Sequence, residues 1–305
     1  MKILVLAGGD SAERDVSLDS GQCVADALQA LGHDVDLRDP ATVPVSTWHD
    51  RPWDIVFPVV HGTGGEDGRL QSELLAAGLP YVGSSVAASE LTFDKIRTNT
   101  LLRNHGVAVP ENRIIKQTSL TAEVLNDLGD FASFESDSGG VVTKPPRQGS
   151  SIGVSIVLQE SQLTAALDLA FQYDDVCLVE RFIAGREWTV PVIDGTAFPA
   201  IEIRTAVDWY DYDAKYQDER TQYVVSPTDE PLSLRSTAVR ACEICGVAGI
   251  ARVDFRVDAA GEPWLLEVNT VPGMTSHSLV PKSAAAAGFS LGQLCEATIR
   301  HRLAQ

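Results

Sequence analysis

Through the first third of the chain, short apolar runs alternate with helical stripes, and that alternation leaves few architectures open. Ile3–Ala7 is an apolar run ending in a glycine turn, too short for the apolar core of a secretion signal. Val24, Leu28 and Leu31 recur at the spacing of one helical face, which stops at Gly32. Asp54–Val60 (DIVFPVV) reads as a second strand, followed by a glycine-rich loop and a helix over Leu70–Ala77. A third short strand is expected at Tyr81-Val82-Gly83. Strands separated by helices predict a parallel α/β sheet, whose ligand crevice opens at the carboxyl ends of the strands.

From about Phe93 the pattern changes. A polar helix at Asp94–His105 leads through Val107–Pro110 to an acidic, serine-rich stretch at Phe131–Gly140. Val141–Lys144 and Gly153–Leu158 read as strands around a polar turn, followed by a helix reaching Tyr173. More strands are expected at Cys177–Ile183, Glu187–Ile193, Ala197–Ile203, Ala251–Val257 and Pro263–Val268. Helices are expected at Leu234–Val247 and at the C-terminus, and a polar, tyrosine-rich segment at Asp208–Gln222 has the length of a functional loop. A chain of 305 residues exceeds what one core usually supports, so two or three domains are expected.

With 24 Lys and Arg against 42 Asp and Glu, the formal net charge is −18. That balance disfavours a nucleic-acid binder, which needs a basic footprint. No run reaches the roughly 18 apolar residues of a membrane span. The Cys242-x-x-Cys245 pair raises metal and redox readings, but a structural zinc site needs four ligands and no second Cys or His pair lies nearby. Inside a helix the two cysteines serve better as small buried hydrophobes. A cytoplasmic protein with reduced thiols is expected.

No Gly-Lys dipeptide occurs, which excludes a Walker A loop, and Gly62-Thr63-Gly64-Gly65 fails the G-x-G-x-x-G pattern at Asp67. Gly149-Ser150-Ser151-Ile152-Gly153 matches the G-x-S-x-G nucleophile elbow, and Asp254 and His277 follow in hydrolase order. An elbow requires strand, turn, then helix, whereas Ser151 precedes the strand-like Val154–Val157. A Gly/Ser loop between two strands instead offers amides and hydroxyls to a polyphosphate, with Lys144 just upstream.

The sharpest constellation is Arg252-Val253-Asp254-Phe255 followed, after a turn, by Leu266-Glu267-Val268-Asn269. If the hairpin turns on Ala260-Gly261, Asp254 lies opposite Glu267 with Arg252 beside it, and Val253, Phe255, Leu266 and Val268 form the buried face. Asp254, Glu267 and Asn269 are hard oxygen donors, which suit Mg²⁺ bridging phosphates. A solvated polar face explains the same alternation. The loop Pro272–Ser278, richer in Gly, Ser and His than a turn requires, favours a site.

Nine segments, in order and over essentially the whole chain, resemble the D-alanine–D-alanine ligase family of the ATP-grasp superfamily. They are AGGDSAERDVS (7–17), HGTGGEDGRLQ (61–71), YVGSSVAAS (81–89), FDK (93–95), KPPRQGSSIGV (144–154), GREWTV (185–190), YDYDAKY (210–216), RVDF (252–255) and LLEVNTVPGMTSHSLVP (265–281). Phe93 departs from the family's usual Met. The resemblance implies an α/β (α+β) ATP-grasp fold, with a substrate-binding domain at 1–92, a central subdomain at 93–179 and a catalytic domain at 180–305. It implies ATP as co-substrate and two Mg²⁺ (or Mn²⁺) ions on Asp254, Glu267 and Asn269. Lys95, Lys144 and Lys215 would contact phosphates, with Ser150 and Ser151 closing over them. Glu180, Arg181 and the backbone at Phe182 and Ile183 would lie along adenine, and Glu187 at the ribose. Glu13 would receive the first D-alanine's ammonium, with His61 nearby. Arg252 and the Gly273 backbone would face the oxyanion, and Ser278 and Leu279 the second carboxylate. Tyr216 resembles a tyrosine that bonds toward Ser150 and Glu13. Relatives making D-alanyl-D-lactate commonly carry Phe there, so Tyr216 argues for an amine nucleophile. A D-serine or D-lactate ligase is the alternative within the family; a serine hydrolase and a nucleotide-binding module without turnover are the alternatives outside it. A homodimer is the family's expectation.

Overall fold

The computed structural model describes residues 1–50, 52–134, 139–205 and 220–305. Its first unit comprises β1 (Lys2–Leu6), α1 (Arg14–Ala30), β2 (Asp34–Arg38), β3 (Ile55–Pro58), α2 (Arg69–Ala76) and α3 (Val86–Phe93). The strands form a parallel sheet in the order β2-β1-β3. The strand expected at Tyr81–Gly83 is only a single parallel bridge from Tyr81 to Val56. The third strand is β2, an edge strand with no buried residue, so its sequence DVDLR shows no apolar run.

The second unit comprises α4 (Lys95–Asn104), β4 (Asn112–Lys116), α5 (Ala122–Ala132), β5 (Val141–Lys144), β6 (Ser155–Val157), α6 (Leu163–Ala170) and β7 (Val176–Arg181). Its sheet is antiparallel in the order β4-β7-β5-β6. Asp94 separates α3 from α4, because its carboxylate accepts the amides of Ile96 and Arg97 at 3.0 and 3.1 Å. This cap restarts the helix and sets Lys95 on its first turn.

The third unit contains β8 (Arg186–Ile193), β9 (Thr196–Ala197), β10 (Ile201–Arg204), β11 (Gln222–Val225), α7 (Leu234–Cys245), β12 (Ile250–Val257), β13 (Pro263–Asn269), α8 (Leu279–Ala286) and α9 (Leu291–Leu303). Its sheet runs β11-β10-β8-β12-β13, with β9 beside β8. Cores cross the sequence order. Leu294, Cys295 and Ile299 of α9 pack on Ile3, Val5 and Ile55 of the first sheet. Leu102 of α4 joins α7 against Trp188, Val190, Val253 and Phe255. Cys242 and Cys245 lie in that core as small hydrophobes, and burial pushes their thiols up to about 12 and about 11.

In the β12–β13 hairpin Arg252 pairs with Asn269 and Asp254 with Glu267, the register expected from the turn. A bulge follows Asp254, so Phe255 pairs with Leu265 and Leu266 has no partner. The buried residue is therefore Leu265, fully enclosed, while Leu266 turns toward a cavity. A strict two-residue alternation misassigns this pair because the bulge inserts one residue.

Candidate functional site

Two adjoining cavities, with about 980 and 900 Å³ of empty space, lie where the three units meet. The first is lined by Glu13, His61, Ser150, Arg252, Gly273, Ser278 and Leu279, the second by Lys144, Ser151, Glu180, Phe182, Glu187 and Asp254. Lys95, Gln148 and Glu267 line both and form the shared wall.

Glu13 stands at the N-terminus of α1, yet its side chain makes no capping bond. Instead the Ser150 hydroxyl donates to Glu13 Oε1. A simple helix cap is thus not its role. The approach depends on Gly62 and Gly149: a Cβ at either would stand 2.5 Å from Glu13 Oε2. Those two glycines let three separate loops close around one carboxylate. The neighbouring loop is held by Arg14, which donates to the Gly9 carbonyl at 2.6 Å and to Asp39 Oδ2 at 2.5 Å.

His61 is buried and wired on both nitrogens. The Val271 carbonyl, 2.8 Å from Nδ1, can only accept, so Nδ1 carries the proton and Nε2 accepts from the Ser20 hydroxyl at 3.2 Å. Ser20 Oγ in turn accepts the Met274 amide at 3.1 Å. Burial pushes the imidazole down to about 4, so it is neutral near pH 7. This relay ties the loop after β3 to the strap after β13, where the Ser278 hydroxyl pairs with Thr275 Oγ1 at 2.9 Å and accepts the Thr275 amide at 3.1 Å. Leu279 opens α8, whose N-terminal amides favour an anion.

Ser150 and Ser151 connect the antiparallel neighbours β5 and β6, which excludes the strand-turn-helix setting of a hydrolase elbow. Both adopt left-handed backbone angles, φ 49° and 59°. Behind them Lys144 and Glu180 form an ion pair at 2.6 Å with side chains 8% and 2% exposed, and Asn99 donates to the other Glu180 oxygen at 2.7 Å. Arg256 donates to the Ile183 carbonyl at 3.2 Å, reaches Glu187 at 3.5 Å and lies over the Phe182 ring. The Arg181 guanidinium is held at 3.2 Å by Glu111 and lies over Phe131.

Asp254 is held by Arg252, with nitrogen–oxygen distances of 2.8 and 2.9 Å, and by the Thr189 hydroxyl at 2.6 Å. Glu267 lies 3.3 Å from Lys95 Nζ and 4.0 Å from Arg252. Asn269 Oδ1 accepts the Val271 amide at 3.0 Å. Among the described residues no group of three His, Cys, Asp or Glu side chains converges as a self-sufficient metal cage. Two carboxylates and one amide oxygen are hard donors of the kind Mg²⁺ takes, and would hold it together with a bound polyphosphate. The cations gathered here, in a chain of net charge −18, suit polyphosphate.

Three residues of the site escape sequence reasoning. Glu66 is buried in the first cavity, its Oε1 accepting the Gly62 amide at 3.0 Å, and burial followed by the Glu13 charge pushes it up to about 8. It lies within HGTGGEDG, where a carboxylate directly after a Gly-Gly is the available signal. Thr189 and Asn99 are reached only through tertiary packing. Lys215 and Tyr216 lie outside the described residues.

Family models described as the D-ala D-ala ligase C-terminus and N-terminus match residues 101–300 and 40–84. A D-alanine–D-alanine ligase of Mannheimia succiniciproducens is 42% identical over 296 residues, covering 96% of this chain and 95% of that one. The fold superposes on a crystal structure of D-alanine–D-alanine ligase from Bacillus anthracis with a TM-score of 0.86 at 32% identity, covering 99% and 97% of the two chains. Against the structure of that ligase complexed with ATP the TM-score is 0.83 at 29% identity, covering 99% and 98%.

Proposed function

We propose, because the chain belongs to the D-alanine–D-alanine ligase family, that it joins two D-alanine molecules into D-alanyl-D-alanine using ATP, for peptidoglycan precursors. The observation that carries this reading is the shared wall. Lys95, Gln148 and Glu267 line both cavities, so an amino acid in one meets the phosphate end of a nucleotide in the other.

A carboxylate is a poor electrophile. In the first step a carboxylate oxygen of D-alanine attacks the γ-phosphorus of ATP, ADP leaves, and D-alanyl phosphate forms. In the second, the neutral amine of another D-alanine attacks the acyl carbon, phosphate leaves with the original carboxylate oxygen, and the amine proton is lost. Glu13 receives the first ammonium, with neutral His61 shaping the pocket without adding a competing charge. Arg252 and the Gly273 amide face the developing oxyanion. Ser278 and the Leu279 amide receive the second carboxylate. Lys95, Lys144, Lys215 and the Ser150–Ser151 loop hold the phosphates; Glu180, Arg181, Phe182 and Ile183 flank adenine; Glu187 meets the ribose. Asp254, Glu267 and Asn269 would hold two Mg²⁺ or Mn²⁺ ions, which when bound neutralise phosphate charge. Tyr216 favours an amine nucleophile over D-lactate.

The division at 1–92, 93–179 and 180–305 is proposed as three domains, with β7 running on to Arg181 within the central sheet. A homodimer and a cytoplasmic location are proposed on the family pattern; among the described residues no helix is long and apolar enough to cross a membrane. The test is ADP release with ATP and Mg²⁺ against a panel of D- and L-amino acids. Release that depends on D-alanine and yields dipeptide supports the reading; ester cleavage without ATP and phosphonate labelling of Ser151 would replace it with the hydrolase.

A further inference from the structure

The turn at Tyr173-Asp174-Asp175, just before β7, grips the Ser150 loop from two sides. Arg147 donates from Nε to Asp174 Oδ2 at 2.9 Å and from Nη2 to Asp174 Oδ1 at 2.6 Å, and Nη2 reaches Asp175 at 3.4 Å. The Asp174 side chain is 4% exposed, and its Oδ1 also accepts the Val176 amide at 3.1 Å, so the carboxylate is built into the start of β7. At the loop's far end a Cβ on Gly153 would stand 2.8 Å from the Tyr173 ring. On either side of Arg147 the Pro146 carbonyl accepts the Lys95 amide at 3.1 Å and the Gln148 carbonyl accepts Lys95 Nζ at 2.7 Å.

The backbone between Arg147 and Gly153 explains why such a grip is needed. Ser150 and Ser151 both sit in the left-handed region, which is unfavourable for a residue carrying a Cβ. Such a conformation persists only where its surroundings over-determine it. An exposed ion pair is worth little. This one is two-pronged and has one partner buried, the arrangement in which a guanidinium imposes geometry as well as charge.

We propose that Arg147 and Asp174 are positioning residues for the ligase reaction, their two-pronged pair holding the loop base so that Ser150 meets Glu13 and Ser151 faces the nucleotide cavity. The proposal rests on the ligase reading above. Neither side chain touches a reacting atom; both act through the loop.

The test compares wild type with Arg147→Ala, Arg147→Lys and Asp174→Asn, measuring ADP and dipeptide separately at varied ATP, and hydrogen exchange over residues 145–153. Arg147→Ala and Asp174→Asn are expected to raise KM for ATP about tenfold or more, a loss of about 1.4 kcal/mol of binding. Dipeptide per ADP should fall below one, because a loose loop admits water to the acyl phosphate. Arg147→Lys should fall between, since an ammonium cannot reproduce the fork. Exchange over 145–153 should rise about tenfold while β5 and β7 stay protected. Wild type that releases no ADP on adding D-alanine overturns the ligase reading alone, and the exchange comparison still decides on the pair. Variants that lose only melting temperature, with KM for ATP, product ratio and loop exchange unchanged, overturn the positioning role.

Discussion

Ser150 donates a hydrogen bond to Glu13 across 137 residues of sequence, joining the loop between β5 and β6 to the wall of the amino-acid cavity. That single contact makes the amino-acid cavity depend on the position of the nucleotide loop.

Ser150→Ala should therefore weaken both ends of the site. A hydrogen bond to a charged group contributes about 1.5–3 kcal/mol, so kcat/KM for the first D-alanine should drop roughly 10- to 100-fold. Steady-state kinetics at saturating ATP check this. An unchanged value would leave the Glu13–Ser150 contact without a part in substrate binding.

Glu267→Gln keeps the shape of the β12–β13 hairpin and removes one of two carboxylates aimed at the phosphate end. Turnover should fall by at least about 100-fold at saturating Mg²⁺, because a neutral amide is a poor ligand for a hard dication. Circular dichroism and melting should remain close to wild type. Full activity would remove Glu267 from the metal site.

Lys144 and Glu180 test stability. Both are buried, at 8% and 2% exposure, and removing one partner of such a pair leaves an uncompensated charge. Lys144→Ala should cost about 3–5 kcal/mol in urea unfolding, with Glu180→Leu in the same background recovering part of it. A loss below about 1 kcal/mol, the size of a surface pair, would contradict this.

Much of this site is legible in the sequence because its donors lie close together along the chain. Asp254, Glu267 and Asn269 belong to one hairpin, and a turn read at Ala260-Gly261 is enough to place Asp254 opposite Glu267, with Asn269 two residues further along the same strand. Leu266 resists the same logic because a bulge is not visible in alternation. β2 and β4 escape for another reason: edge strands expose their side chains, and NRIIK at β4 buries none of its residues. Glu66, Asn99 and Thr189 owe their roles to partners brought by other elements, which no local pattern records. The relay from Met274 through Ser20 and His61 to Val271 is of the same kind, joining residues more than 200 apart.

Protonation offers a separate check. Glu66, pushed up to about 8 by burial and then by Glu13, keeps its proton in the folded state where the unfolded chain, near 4.5, has lost it. The folded form thus binds more protons between those values, and stability falls as pH rises through them. His61, pushed down to about 4 from 6.5, acts oppositely: the unfolded chain binds more protons there, and stability rises with pH up to 6.5. The two oppose each other at the acidic end, leaving Glu66 alone above 6.5. Denaturation midpoints should therefore decline from 6.5 to 8 in wild type and stay flatter in Glu66→Gln. Parallel profiles would show that Glu66 does not titrate in this window.

Catalysis as proposed turns on one event, the activation of a D-alanine carboxylate by phosphate from ATP, and the fate of the carboxylate oxygens reports on it. D-alanine labelled with ¹⁸O in both carboxylate oxygens is incubated with the protein, ATP and Mg²⁺ in unlabelled water, and the phosphate released is analysed by mass spectrometry. One ¹⁸O should appear in each phosphate formed with dipeptide, because phosphate departs with the carboxylate oxygen that attacked ATP. Phosphate free of label, formed at the same rate with or without D-alanine, would rule out the acyl phosphate and the ligase chemistry with it.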